Sequence, residues 1–227
     1  MKLATSQAVF EYWHSLCRGR VAPDRHDLDP AAMRGMLAHT FMLEVHGPAS
    51  ERRFTIRLSG TRLDALFRRE MKGADFDDLW SDDAAPEMRT LLDGVLDDTQ
   101  PMLFGVSGAP AGDTVTAFEL LVLPLRHHGR TQARLLCSLV PAGTPSWIGL
   151  LPLAPLSLAG WRALDARAES AAMQHAAPMR FTGGIRRAHL VVYEGGRNGD
   201  VTAAPKQVRV KTGMPRSSEP PLSTRRS

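Results

Sequence analysis

Eight histidines and two cysteines are the side chains of this 227-residue chain best suited to metal or redox chemistry, and their spacing argues against both. No Cys-x-x-Cys, His-Glu-x-x-His or Cys-x-x-Cys-His pattern occurs, so neither a zinc site nor a covalently attached haem is expected. His127 and His128 fall in an expected hairpin turn. His39 begins an expected strand, where hydrogen bonding is the ordinary role of an imidazole. Cys17 and Cys137 fit amphipathic elements as small buried residues, without the tight spacing of a disulfide framework. Asp75, Asp77, Asp78, Asp82 and Asp83 crowd one stretch but lack the alternating ligands and central glycine of a calcium loop. Helix capping and a solvated acidic loop account for them. There is no Gly-x-Ser-x-Gly elbow, and Gly183-Gly184 before Arg186-Arg187 lacks the spacing of a phosphate loop. One carboxylate stands out. Glu119 lies inside an otherwise apolar strand, where an ion pair with Arg57 or Arg134 is the plain reading and anchoring of a ligand the sharper one. No acid–base or nucleophile constellation is legible, so an enzyme is not expected.

Composition narrows the setting. At 227 residues with 43% hydrophobic content, the chain suits one core-burying domain with extensions. No apolar run reaches the roughly 18 residues of a membrane span, and the N-terminus lacks the basic and apolar regions of a signal peptide. A cytoplasmic location is expected. The formal charge of +4 belongs to the tail: Lys206, Arg209, Lys211, Arg216, Arg225 and Arg226 face Glu219 alone, leaving residues 1–204 close to neutral. Nucleic acid is therefore an unexpected partner, because spread-out cations without interleaved aromatics bind it weakly at cellular salt.

The elements that would position any site follow from periodicity. Val9, Tyr12, Trp13 and Leu16 recur with helical spacing over residues 6–18, and Gly19 can end that helix. Asp29 as a cap with Pro30 at the first position signals a second short helix carrying Met33, Met36 and Leu37. Phe41, Leu43 and Val45 alternate with Met42, Glu44 and His46, and Phe54, Ile56 and Leu58 with Thr55, Arg57 and Ser59. With the Gly47-Pro48 turn between them, the two runs read as an antiparallel hairpin. A short helical run at 61–67 follows, then a longer helix near 84–98 with Met88, Leu91, Leu92 and Val95 on one side. Strands are expected at 102–106, at 118–126, which is apolar on both faces and so central, and at 132–140. Beyond Pro141, Gly143 to Leu158 reads as a linker or a docked extended segment. A further helix is expected from about Leu158 to His175, with Trp161, Leu164 and Ala168 as its stripe, and a short β-like run at His189–Tyr193 ends at Gly195-Gly196. Low hydrophobicity and like charges from Arg197 onward argue for disorder. Five strands divided two and three around helices suit one antiparallel sheet with helices on one face.

The distributed motifs resemble the proteobacterial PAS-domain family long described as a domain of unknown function and found chiefly in alphaproteobacteria. They are Tyr12-Trp13 with Leu16 and Arg20; Pro23-x-Arg25 before Leu28-Asp29-Pro30; His39-x-Phe41-Met42-Leu43-Glu44-Val45; Leu58-x-Gly60-Thr61 with Leu66-Phe67, Arg69-Glu70, Gly73, Phe76 and Leu79-Trp80; Glu119-Leu120 with Leu123-Pro124-Leu125; and Leu190 to Gly196. The family commonly places a glycine after the Phe of the short helix, where this chain has Arg68. The resemblance implies an α+β PAS fold with a five-stranded antiparallel sheet, short helices on one face and an N-terminal amphipathic helix. It implies a regulatory role in the cytoplasm, with no catalytic residue and no fixed cofactor. Because such modules often dimerise through the N-terminal helix, Val9, Trp13 and Leu16 become candidates for the face of a homodimer.

On this reading residues 1–38 form a helical extension, 39–141 the PAS core, 142–196 a C-terminal extension and 197–227 a disordered basic tail. Alternation turns Phe41, Leu43, Phe54, Ile56, Leu58, Leu63, Leu66, Phe67, Phe104, Phe118, Leu120 and Leu135 inward, where they line either a ligand pocket or a closed core. Any cofactor stays unknown. Two functions remain open: a stand-alone sensor acting through a signalling protein partner, gated by a small apolar ligand, or a purely structural dimerisation or adaptor module with a filled core.

Overall fold

The helical stripe at the N-terminus forms α1 (Ala4–Cys17), with Val9, Phe10, Trp13 and Cys17 buried along one side. The computed structural model describes residues 1–127 and 130–165; the expected run at 189–193, the basic tail, His128 and Gly129 lie outside them. The hairpin forms as the alternation predicts, β1 (Thr40–His46) against β2 (Arg53–Ser59), antiparallel. After α2 (Thr61–Phe67) and α3 (Ala84–Asp97) come β3 (Met102–Gly108), β4 (Thr116–His127) and β5 (Arg130–Pro141).

The sheet has six strands among the described residues, in the order β2-β1-β5-β4-β3-β6, where five were expected. The sixth is β6 (Ser157–Ala163), antiparallel to β3. It replaces the first part of the helix expected from Leu158. Gly160 weakens a helix there by about 1 kcal/mol, and β3 otherwise offers an unpaired edge whose ladder β6 completes. The preceding segment is docked. Trp147, Leu153 and Leu156 are buried, and backbone bonds run from Leu153 N–H to the Leu66 carbonyl at 2.8 Å and from Leu156 N–H to that of Leu79 at 2.7 Å.

Both faces of the sheet are covered. Phe118, Leu120 and Val122 of β4 join one buried cluster with α2, α3 and the 3-10 turn Asp77–Leu79, while Leu121, Leu123 and Leu125 join a second cluster with α1. This two-sided burial is why β4 reads as a continuous apolar run.

Asp29-Pro30 does not start a helix. Residues 30–36 form successive turns ending in a 3-10 turn, Leu37–His39. Asp29 does cap, its Oδ1 accepting the Ala31 N–H at 2.8 Å, and Met33 is buried in the α1 cluster. At the end of α2, Arg68 adopts φ 55°, ψ 28°, the left-handed conformation a glycine would hold without strain. Its guanidinium donates to the Gly149 carbonyl, a contact glycine lacks.

Arg52, just before β2, is an unexpected buried cation. Its side chain is 3% exposed and pairs with Asp93 at 3.2 Å and Asp97 at 2.6 Å, both on α3.

Candidate functional site

The space between the sheet and the short helices is filled by side chains. Phe41, Leu43, Phe54, Ile56, Leu63, Leu66, Phe104, Phe118, Leu120 and Leu135 belong to one buried cluster, with Phe67 packed against it. Met71, Phe76 and Trp80, which alternation did not place inward, join it, as does Met88 from the apolar stripe of α3. Phe76 lies 6.2 Å from Phe41 and 5.6 Å from Trp80 between ring centroids. The inward turn of the loop residues depends on backbone: Thr55 bridges to Asp75, and the Phe76 N–H bonds the Phe54 carbonyl. No two-residue or helical period encodes that. A smaller recess of about 220 Å³ at the rim joins His39, Arg62, Thr144 and Ile148. Burial pushes the His39 pKa down, against a backbone hydrogen bond to Leu139.

Leu58 departs from its expected place. Leu43 pairs with Ile56 but Met42 pairs with Leu58, so Arg57 is an extra residue in β2. Such a bulge resets the alternation, turning Leu58 to the face that Met42 shares with α1. Leu58 is 46% exposed there and lines a cleft of about 560 Å³ beneath the turns of residues 25–38. Leu28, Met33 and Leu37 form one wall of the cleft, Met42, Leu58 and Leu136 the other.

Gly60 closes one end of the cleft. A Cβ there would stand 2.1 Å from the Leu37 carbonyl oxygen and 2.5 Å from that of Ala38, so the two backbones approach only because the side chain is absent.

Charge at the cleft is one-sided. Arg25 and Arg34 line it, and the nearby acids are engaged elsewhere: Asp24 and Asp27 both hold Arg20, and Asp29 accepts the Ala31 N–H. Bonding to the Arg20 guanidinium holds the Asp27 carboxyl below the usual carboxylate range.

Glu119 forms neither expected ion pair. Arg57 and Arg134 both pair with Glu44, at 3.5 and 2.9 Å, because Arg134 lies directly opposite Glu44 in the ladder. Glu119 instead accepts the Lys2 and Leu3 N–H groups at 2.7 and 3.2 Å. It thereby caps α1, whose own N-cap residue, Leu3, provides no side-chain acceptor. Of the candidate dimer face, Val9 and Trp13 are buried against this chain's own sheet, with Trp13 Nε1 donating to the Pro124 carbonyl at 2.9 Å. Leu16 is half-buried. Residues 9 and 13 thus present almost no side-chain surface to a second copy.

Fold and site together define a small α+β module with a side-chain-filled chamber on one face of its sheet and an open cleft on the other. The chain belongs to the PAS domain family, whose model matches residues 1–140. No curated protein sequence matches it significantly. The docked segment and β6 lie beyond the matched span. Membership supports a sensory or regulatory role, and among the described residues no helix is long and apolar enough to cross a membrane.

Proposed function

We propose that this chain is a cytoplasmic, non-catalytic PAS regulator that works by contact with another protein. The observation that supports it most is the filled chamber: with Phe41, Phe54, Phe76, Phe104 and Phe118 packed together, recognition falls to the surface. Contact with the partner shifts the balance between arrangements of the connector at residues 25–39, by no more than the difference in affinity for those arrangements. A purely structural adaptor shares the filled interior. The regulatory reading is favoured by the cleft, because a structural module has no need of exposed Leu37 and Leu58 beneath a segment made of turns.

Crosslinking the native chain in its host, followed by mass spectrometry, tests this. A one-to-one complex with a defined protein, joined at reproducible residues, is expected. A chain that remains uncrosslinked, and whose deletion alters no regulated process, refutes the reading.

A further inference from the structure

The strongest unassigned feature is the cleft between the 25–38 connector and the β1–β2 hairpin. It lies on the α1 side of the sheet, with the sheet between it and the filled chamber. About 560 Å³ falls within the range of small-molecule sites, which combine apolar walls with a few convergent polar groups. The walls here are Leu and Met side chains, and methionine adapts readily to flexible apolar chains. The charged groups are two arginines with no carboxylate partner among the described residues, Arg25 and Arg34, and Thr40, Ser59 and Thr61 add hydroxyls to the lining. Guanidinium groups beside an apolar slot match a ligand with one anionic head and a hydrocarbon tail, since Arg pairs with a carboxylate through two parallel hydrogen bonds.

We propose that this cleft binds a single-chain anionic amphiphile, a carboxylate with an alkyl tail of about ten carbons. The tail lies between Met33 and Met42, and the head faces Arg25 and Arg34. The connector can accommodate entry because it is a succession of separate turns and not a continuous helix, with the Arg34 N–H reaching the Ala31 carbonyl at 3.4 Å. Gly60 lets the connector sit close enough to form the second wall. The inference deepens the regulatory reading and rests on it for biological meaning alone, because ligand binding and partner contact are measured separately.

The test uses the full chain with methyl-labelled methionine and decanoate below its micelle concentration. Saturable shifts are expected at the Met33 and Met42 methyls, with Met71 and Met88 on the far side of the sheet unmoved. Shortening decanoate to octanoate should weaken binding about tenfold. Arg25→Gln with Arg34→Gln should weaken decanoate about tenfold while leaving decanol unchanged, and retained decanol binding shows that the variant site is folded. Shifts confined to Met71 and Met88 would place the ligand in the chamber and overturn the assignment. Equal binding of decanol, decyltrimethylammonium and decanoate by the parent chain would overturn the anionic class. The absence of any saturable shift at millimolar decanoate would overturn binding itself, whatever the crosslinking experiment finds.

Discussion

Removing the acids around Arg52 should cost more stability than removing Arg52 itself. The guanidinium is almost fully buried, at 3% exposure, whereas Asp93 and Asp97 are 30% and 54% exposed. In Asp93→Ala with Asp97→Ala, a buried cation loses both partners, and breaking a buried pair from the exposed side costs about 3 kcal/mol or more. For a domain of this size that corresponds to a fall in Tm of about 6–12 °C. In Arg52→Met the carboxylates turn to water and an apolar side chain of similar length fills the space, at a cost of about 1 kcal/mol. Combining all three changes should return stability to near the Arg52→Met value, since no charge is then stranded. Urea unfolding followed by tryptophan fluorescence supplies the four free energies of the cycle. If the acid-free variant is no less stable than Arg52→Met, the guanidinium is solvated in solution and the reasoning from burial is wrong.

Other consequences follow from the same contacts. Gly60→Ala should destabilise by about 1–3 kcal/mol, because the added Cβ meets backbone oxygens; a melting temperature equal to the parent's would show that residues 37–38 yield freely. Glu119→Ala should cost about 1 kcal/mol through loss of the α1 cap, visible as faster amide exchange over residues 3–7; unchanged exchange there would remove Glu119 from that role. Burial pushes the Cys17 thiol up to about 11 and raises Cys137 well above its ordinary value. The unfolded thiols lose protons first, so this part of the stability is complete below about pH 9 and declines as pH rises through about 11. A thiol reagent at pH 8 should therefore label both cysteines only in urea, and rapid labelling of the native chain would contradict their burial.

Periodicity made the central architecture legible. The β1–β2 hairpin, α2, α3 and the central β4 and β5 follow from apolar repeats that depend on neighbours within one element, and ten of the residues that alternation turned inward share one cluster. Leu58 was misplaced for a local but silent reason. Nothing in Arg53–Ser59 marks Arg57 as a bulge, because a bulge arises from the register of two strands rather than from residue type. Glu119 was misread because its partners are backbone N–H groups more than 100 residues away, and such donors carry no side-chain signature.

By itself the sequence determined an α+β domain with an apolar interior, a helical N-terminus and no legible catalytic set, because hydrophobic spacing records which face of each element avoids water. Tertiary structure decided which surface each stripe meets. It placed Val9 and Trp13 on the chain's own sheet instead of on a second copy, converted the segment from Ser157 to Ala163 into a sixth strand on the open edge of β3, and filled the chamber from the loop residues Met71 and Phe76. It also opened a cleft beneath the connector, where Leu58, Arg25 and Arg34 come together. Amphipathicity states that a face must be covered; only the packed chain determines what covers it.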